Sequence, residues 1–401
     1  MAVIGIVCEY NPFHRGHELH IQKSRAALGE ESAVICVQSG DFVQRGEAAV
    51  YDKFARAEAA CRCGADLAVE LPLPWCLSSA EGFARGAVSL LGALGCTHLS
   101  CGSETGGLDA LQALADTLRE PGFLLAVKAL LEREPSLSFA AARERAAQQR
   151  LGDSALLLRQ PNNILAVEYL KAAYDQRLEL EPLPILREGA GHDQEQSDGG
   201  PCSASELRKR IRAGRSLNGE IPPEAAAVFS REKDRGREIA DPAALEIAVL
   251  SRLRMLTEED YLRLPDAGDG LGRRLFRAVE EERSLDAVLS AAKTKRYALS
   301  RIRRMCMCAC LGIREGMAKN PVPYARVLAA DSKGRELLRG IADRGKIPLV
   351  TKPASVRRLS RTCQGLFGLD SYAHDFYVLG YPAEPERRPG EDWRTGPKIL
   401  G

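Results

Sequence analysis

Short apolar runs alternate with helical stretches through the first half of this 401-residue chain. Strands are predicted at residues 2–8, 33–38, 66–71, 97–101 and 178–186, and helices at residues 17–28, 51–63 and 80–94. Strands that alternate with helices form βαβ units, which build a parallel sheet covered by helices on both faces. We therefore predict an α/β fold with an N-terminal, doubly wound, Rossmann-like parallel sheet. Ligands of such sheets bind beyond the carboxyl ends of the strands.

The second half of the chain has a different pattern. From about residue 218 the strand signals fade and helical periodicity dominates, for example at residues 242–255 and 271–292. Residues 189–201 are polar, glycine-rich and aperiodic, which predicts a loop or linker. We expect a first domain at residues 1–215, a mainly α-helical C-terminal domain at 216–381, and a loose tail at 382–401 that is rich in proline, glycine and charge.

Neither a secretion signal nor a membrane span is predicted. The N-terminal apolar stretch lacks a basic segment and breaks at Glu9, and no run of about 18 apolar residues occurs. We therefore expect a cytoplasmic protein without a membrane partner. In a reducing compartment its 12 cysteines are expected to be small buried hydrophobic residues, and since no Cys-x-x-Cys pair occurs, no protein-bound metal is predicted. The sequence leaves the oligomeric state open.

The most informative motif is EYNPFHRGH, residues 9–17, directly after the first predicted strand. His14 and His17 lie three residues apart at a predicted helix start, where free N–H groups and the helix dipole favour an anion. Gly16 between them lets a ligand approach the backbone closely. Imidazole donors add charge-assisted hydrogen bonds. This HxGH pattern therefore predicts the phosphate-binding site of a nucleotidyltransferase that uses ATP.

The histidine pair has two other interpretations. A His-x-x-His pair can bind a metal, with His20 as a third ligand, but His20 lies about 240° around the helix from His14 and is expected to face elsewhere. Two unrelated surface histidines are the other alternative. We favour the nucleotide site because the pair follows a strand–loop–helix arrangement.

Further polar clusters follow predicted strands or open a predicted helix. They are residues 39–47 (SGDFVQRGE), residues 102–104 (GSE), Asn162 with Asn163, and Arg187. Each also has an ordinary explanation, as a glycine-rich turn, a helix cap or a solvated arginine. The loops after the first, second and fourth strands are nevertheless expected to converge at one edge of the sheet.

Three basic stretches lie in the later part of the chain. Residues 206–215 carry five positive charges, residues 293–304 carry six with Tyr297 among them, and residues 356–361 carry three. A solvated helical face is the usual explanation of such a run. Basic residues beside an aromatic ring also suit a nucleic-acid backbone with an unstacked base, so both interpretations stay open. Tyr297 fits a core position equally well.

The opening segment GIVCEYNPFHRGH closely resembles the start of the bacterial tRNA(Met) cytidine acetate ligases. Further matches follow in order along the chain: SGDFVQRGE at 39–47, DKFARAE at 52–58, VELP at 69–72, CGSE at 101–104, PNNILAVEYL at 161–170, SASELRK at 203–209 and KTKRY at 293–297. The departures are mild: Cys8 and Arg15 replace the more typical Ala and Asn, and Ser205 stands where Thr is common.

This resemblance implies a fold, a reaction and a site. The first domain would have the nucleotidyltransferase fold. The enzyme would join acetate to AMP with ATP, and would then acetylate N4 of the wobble cytidine of elongator tRNA(Met), forming N4-acetylcytidine. His14 and His17 would be catalytic, and Mg²⁺ would accompany the ATP. The matching ATP positions are Val7, Cys8, Glu9, Tyr10, Asn11, Pro12, Phe13, His14, Arg15, Gly16, His17, Glu18, Leu19, His20, Gly102, Asn162 or Asn163, and Arg187.

For the tRNA we expect contacts from the 293–304 stretch. The candidate residues are Lys293, Lys295, Arg296, Tyr297, Arg301, Arg303 and Arg304. The same stretch could instead reach over to the ATP site. Two alternative functions remain: an adenylyl- or cytidylyltransferase that makes a nucleotide cofactor, and a non-catalytic tRNA-binding protein with a regulatory nucleotide site.

Overall fold

The fold is that of a computed structural model, which describes residues 1–187, 202–217 and 219–401. The predicted loop at 189–201 lies outside the described residues. The strands are β1 Val3–Cys8, β2 Ala33–Ser39, β3 Phe42–Val43, β4 Glu47–Ala48, β5 Leu67–Leu71, β6 His98–Ser103, β7 Glu181–Leu186, β8 Ala325–Ala330, β9 Leu349–Val350 and β10 Lys398–Ile399. All five strands predicted in the first half are present, and they are shifted by at most a few residues at their ends.

Helices connect and cover these strands. In the first half they are α1 Arg15–Leu28, α2 Lys53–Arg62, α3 Leu73–Cys76, α4 Ala80–Leu94, α5 Leu108–Arg119, α6 Phe123–Arg133, α7 Phe139–Leu151 and α8 Pro161–Asp175. In the second half they are α9 Ala204–Arg212, α10 Pro223–Asp234, α11 Glu246–Arg254, α12 Glu258–Leu262, α13 Leu271–Glu281, α14 Leu285–Ala292, α15 Leu299–Leu311, α16 Ser332–Arg344, α17 Arg361–Tyr377 and α18 Glu391–Arg394.

One main sheet runs in the order β10-β8-β5-β2-β1-β6-β7, with β9 paired to β8. The five strands of the first half pair parallel to one another, as the βαβ pattern predicts. The strand β1 lies between β2 and β6, so the loop after β1 opens at the middle of the sheet. The predicted α/β class with an N-terminal parallel sheet is confirmed.

The C-terminal half contributes strands that its helical pattern did not predict. Strand β8 is antiparallel to β5, and its six residues, ARVLAA, are all buried. An alanine-rich run suits a helix as well as a strand, so pairing with the exposed edge of β5 decides its conformation. Helices nevertheless dominate this half, where α11 to α15 and α17 enclose a second core around Tyr261, Leu275 and Ile302.

The tail at 382–401 differs from the loose segment expected. Strand β10 pairs parallel with β8, and Leu400 N–H donates to Ala330 O at 2.9 Å. Asp392 is fully buried, with its carboxylate 2.7 Å from Lys53 Nζ and 2.8 Å from Arg326 Nη1. A short strand and one buried acid therefore order a segment whose composition suggests disorder.

The cysteines lie inside the protein: all 12 are free thiols with buried side chains. Cys306, Cys308 and Cys310 belong to the helical core, and burial raises the pKa of the Cys306 thiol to about 12. Across residues 1–187, 202–217 and 219–401, no group of three potential His, Cys, Asp or Glu metal ligands occurs. Within the same residues, no helix is long and apolar enough to cross a membrane.

Candidate active site

A cavity of about 590 Å³ lies at the carboxyl ends of β1, β6 and β7. Its lining includes these residues predicted from the sequence: Val7, Cys8, Glu9, Tyr10, Asn11, His14, Gly16, His17, Leu19, His20, Gly102, Asn162 and Arg187. Loops and helices that are far apart in sequence therefore meet where a ligand of a parallel sheet is expected.

Five of the predicted ATP positions do not line the cavity: Pro12, Phe13, Arg15, Glu18 and Asn163. Phe13 is fully buried and packs against Tyr10, with ring centroids 4.8 Å apart, next to the cis peptide bond before Pro12. Arg15 turns away to Gly219 O and Glu18. Asn163 is fully buried beneath the surface of the cavity.

The two HxGH histidines cap the N-terminus of α1. His14 Nδ1 accepts from Gly16 N–H at 3.0 Å, and His17 Nδ1 accepts from His14 N–H at 3.3 Å, which forms a reciprocal capping box. The rings lie together, with centroids 3.8 Å apart. Because both Nδ1 atoms accept, each neutral ring carries its proton on Nε2. Each ring can therefore donate Nε2–H to an anionic ligand at the helix start.

Both histidines are held neutral. Burial lowers the pKa of His14 to about 3, with further lowering from Arg187 and Arg208. Burial also lowers the pKa of His17 well below its usual range, followed by effects of His14 and Arg187. The hydrogen bonds to a phosphate would therefore be charge-assisted by the phosphate and not by an imidazolium.

His20 lines the same cavity, so the expectation that it faces elsewhere is wrong. Its Nε2 lies 2.8 Å from Ser100 Oγ on β6, which draws the ring towards the strand ends. Ser24 Oγ donates to His20 O at 2.8 Å and lies 2.7 Å from Ser100 Oγ. Ser100 then donates to Ser24, and His20 Nε2–H donates to Ser100, so the Nδ1 of a neutral His20 is the acceptor nitrogen.

Glu104, which follows β6, organises the opposite wall. Its carboxylate accepts from Asn162 N–H at 3.1 Å and Asn163 N–H at 2.9 Å, and so caps the N-terminus of α8. Asn162 Nδ2 also donates to it at 2.6 Å, and Asn162 Oδ1 accepts from Arg187 Nη1 at 2.8 Å. Asn163 Oδ1 instead accepts from Ser103 Oγ at 2.7 Å. Asn162 therefore borders the cavity and positions Arg187, while Asn163 supports the loop behind it.

Arg56 joins the first and second loops of the site. Its side chain is fully buried, and it donates to Glu9 O at 2.5 Å and to Ser39 O at 3.1 Å, as well as to Gly40 O. The loop after β2 is also held by Gln44 N–H, which donates to Glu9 Oε1 at 2.9 Å. Arg56 Nε also donates to Tyr51 O at 2.9 Å, so one buried arginine joins four carbonyl groups and keeps both loops at the cavity.

Helix α15 approaches the same loop from the second half of the chain. Gly46 has φ +77°, and a Cβ there would lie 2.6 Å from the Arg304 backbone nitrogen. Only glycine permits this approach. As a result Ser300 and Arg304 line the cavity together with Arg45 and Arg208.

The basic stretch 293–304 does not form one open surface. Lys293, Lys295 and Arg296 are exposed, whereas Tyr297 is buried and its hydroxyl donates to Asp269 O at 2.5 Å. Arg301 donates to Asp266 O at 2.8 Å, Arg303 pairs with Glu47, and Arg304 lies 3.2 Å from Asp266 Oδ2. Stacking of Tyr297 on a base is therefore contradicted, because the ring packs in the helical core.

Several lining residues were not predicted as site residues: Lys23, Arg45, Phe83, Tyr169 and Arg208. Arg45 and Arg208 lie in stretches that the sequence marks as polar or basic. Nothing in the local sequence around Phe83 or Tyr169 distinguishes them from core residues, because their role depends on packing between α4 and α8.

The chain is similar in sequence and in fold to known proteins. Residues 1–392 match the model of the family described as HIGH Nucleotidyl Transferase. The tRNA(Met) cytidine acetate ligase of Syntrophotalea carbinolica is 38% identical over 90% of this chain and 88% of its own. That of Syntrophomonas wolfei is 35% identical over 99% of each chain. Crystal structures of Thermotoga maritima TmcAL, apo and bound with alpha-thio ATP, share 30% identity over all of both chains, with TM-scores of 0.93 and 0.91.

Proposed function

The chain belongs to the tRNA(Met) cytidine acetate ligase family, within the HIGH nucleotidyl transferases, and from this we propose how its cavity performs the reaction. It is an ATP-dependent ligase that acts on acetate and elongator tRNA(Met). The observation that carries the mechanism is the pair of neutral imidazoles at the N-terminus of α1. Since tRNA is the acceptor, we place the reaction in the cytoplasm.

In the first half-reaction an acetate oxygen attacks the α-phosphorus of ATP, and pyrophosphate leaves with the electron pair of the broken P–O bond. Negative charge grows on the departing phosphates. We propose that His14 and His17 donate their Nε2 protons in hydrogen bonds to these oxygens, with the α1 dipole behind them. Arg187 and Arg208 add positive charge to the same cavity. Positioning and charge stabilisation supply most of such catalysis.

The adenosine end would lie against the opposite wall. Asn162 and Arg187 are already oriented there by Glu104, and Gly102 has no side chain on the strand end beneath them. A Cβ on Gly102 would come within 3.4 Å of the Arg187 side chain. Mg²⁺ would arrive bound to the ATP phosphates, as is usual for nucleotide sites.

In the second half-reaction the exocyclic amine of the cytosine attacks the acetyl carbon of acetyl-adenylate. The base must reach the cavity singly, which an anticodon loop permits. We propose that residues 1–215 hold the nucleotide, and that residues 216–381 present the RNA and add α15 to the cavity wall. Enclosure from both sides keeps water from the reactive anhydride.

For the RNA backbone we propose the three exposed cations of the 293–304 stretch. A variant with Lys293, Lys295 and Arg296 all changed to Ala should bind tRNA(Met) more weakly. The slope of log affinity against log salt should also become shallower, because fewer counterions are released. Acetate-dependent pyrophosphate exchange should be retained, since none of the three side chains lines the cavity. The measurement is a tRNA titration at several salt concentrations.

The matched control removes three exposed charges elsewhere, at Arg335, Arg339 and Lys346. Its tRNA affinity and salt slope should stay near those of the wild type. An unchanged salt slope in the 293–296 variant would move the RNA surface elsewhere. Loss of exchange in that variant would assign the stretch to the ATP site.

Pyrophosphate exchange tests the function itself. We expect labelled pyrophosphate to enter ATP when acetate is added, without tRNA. A cofactor-making nucleotidyltransferase would exchange only with its own substrate, and a non-catalytic tRNA-binding protein would not exchange at all. Exchange that is indifferent to acetate would contradict the proposed function.

A further inference from the structure

Among the described residues, the carboxylates of Glu9 and Glu47 line the cavity, and they differ in their ion pairing. Glu47 is paired with Arg303. Glu9 uses Oε1 to accept from Gln44 N–H at 2.9 Å, and it forms no ion pair within residues 1–187, 202–217 and 219–401. Its second oxygen, Oε2, is not enclosed by the protein and has no hydrogen-bond donor in those residues. One free acceptor therefore borders a cavity that otherwise presents mainly donors.

Tyr169 of α8 lines the same cavity. Only 5% of the residue is exposed, yet it lines the cavity, and its hydroxyl has no hydrogen-bond partner in the described part of the chain. Burial raises the pKa of Tyr169 well above its usual range, followed by effects of Cys101, Glu9 and Cys8. The hydroxyl therefore stays protonated, and it can donate a hydrogen bond into the cavity that Glu9 also lines.

A phosphate ligand does not explain this pair. A carboxylate repels phosphate and acetate oxygens, whereas the histidines and arginines around it attract them. The edge of cytosine has the complementary pattern, because N4 carries two N–H donors and N3 is an acceptor. An acceptor-only carboxylate and a hydroxyl donor in one cavity supply the two partners that this edge requires. Uracil, with an acceptor oxygen in place of the amine, would meet repulsion at Glu9.

We propose that Glu9 and Tyr169 form the cytosine subsite, with Glu9 as the general base of acetyl transfer; this rests on the proposed function. The N4 lone pair attacks the acetyl carbon, a C–N bond forms, and the C–O bond to AMP breaks with its electrons leaving on the AMP phosphate. One N4 proton passes to Glu9 Oε2 and then to solvent. Tyr169 O–H donates to N3 and holds the ring in register.

The test separates the two half-reactions. Hydroxylamine traps acetyl-adenylate as a hydroxamate and reports the first half-reaction without tRNA. Acetyl-AMP supplied directly, with tRNA(Met) under single-turnover conditions, reports the second. Glu9→Gln keeps the acceptor for Gln44 N–H but removes the basic oxygen. We expect it to slow transfer from supplied acetyl-AMP by about 10²–10⁴-fold, and by at least tenfold more than it slows hydroxamate formation.

Tyr169→Phe removes only the hydroxyl and should slow transfer about tenfold, as expected for one lost hydrogen bond. The matched controls are Glu81→Gln and Tyr174→Phe, whose exposed side chains lie outside this cavity. Both should behave as the wild type.

The outcomes are distinguishable. Equal losses in both half-reactions for Glu9→Gln would overturn the proposal and assign Glu9 to ATP or its magnesium. Unchanged transfer in Glu9→Gln would overturn it as well. Failure of the wild type to form hydroxamate or acetylate tRNA would instead refute the proposed function on which the subsite rests.

Discussion

His17→Ala is expected to lower acetate-dependent pyrophosphate exchange by about 10²–10³-fold, the usual effect of removing one preorganised donor to a developing anion. The ring of His17 lies 3.8 Å from that of His14, and its Nδ1 is already occupied by His14 N–H. Its Nε2–H is therefore held in one direction before ATP arrives. Because burial keeps the ring neutral, the lost contribution is a directed hydrogen bond and not a positive charge.

The matched control is His98→Ala on β6. His98 is paired with Glu181 at 3.1 Å and lies outside the cavity, so exchange should stay within a few-fold of the wild type. A His17→Asn variant retains one side-chain donor and should fall between the wild type and His17→Ala. Circular dichroism of each variant shows that the fold persists. Exchange near the wild-type rate in folded His17→Ala would remove the imidazole pair from the mechanism.

Asp392→Ala is expected to reduce the free energy of unfolding by about 3–5 kcal/mol, the range for breaking a buried ion pair. Two buried cations, Lys53 and Arg326, would lose the carboxylate at 2.7 Å and 2.8 Å. Glu70 would remain 2.9 Å from Lys53 Nζ and 3.3 Å from Arg326 Nη1, and Asp41 3.8 Å from Lys53 Nζ, but Asp41 is already paired with His374. The measurement is urea denaturation, with the slope against denaturant checked for two-state behaviour.

The control for this variant is Asp343→Ala, an exposed carboxylate on α16, which should change stability by no more than about 0.5 kcal/mol. A loss below about 1 kcal/mol for Asp392→Ala would show that the tail is held by β10 rather than by its acid. The loss of Asp392 should also affect the active site, because it removes a partner of Lys53, whose backbone N–H donates to Asp41 Oδ1 at 2.8 Å. Asp41 belongs to the loop after β2 that borders the cavity.

Sequence patterns were sufficient where structure depends on neighbours along the chain. The strands β1, β2, β5, β6 and β7 follow from short apolar runs between helical stretches, and the two histidines cap α1 because they lie at its start. The polar character of residues 39–47 is evident from the sequence, but the pairing of β3 with β4 within this cluster is not. A two-residue strand has no periodicity to detect.

Local pattern and the geometry of βαβ units account for the sheet class, the position of the HxGH loop at a strand end, and the segments that border the cavity. By contrast, the pairing of Arg303 with Glu47, the burial of Tyr297 and the addition of β8 and β10 to the sheet all depend on tertiary contacts. Tertiary packing also lowers the pKa of both histidines and brings Glu9 and Tyr169 to one cavity. Those properties depend on burial and on contacts between residues far apart in the chain, which no local pattern encodes.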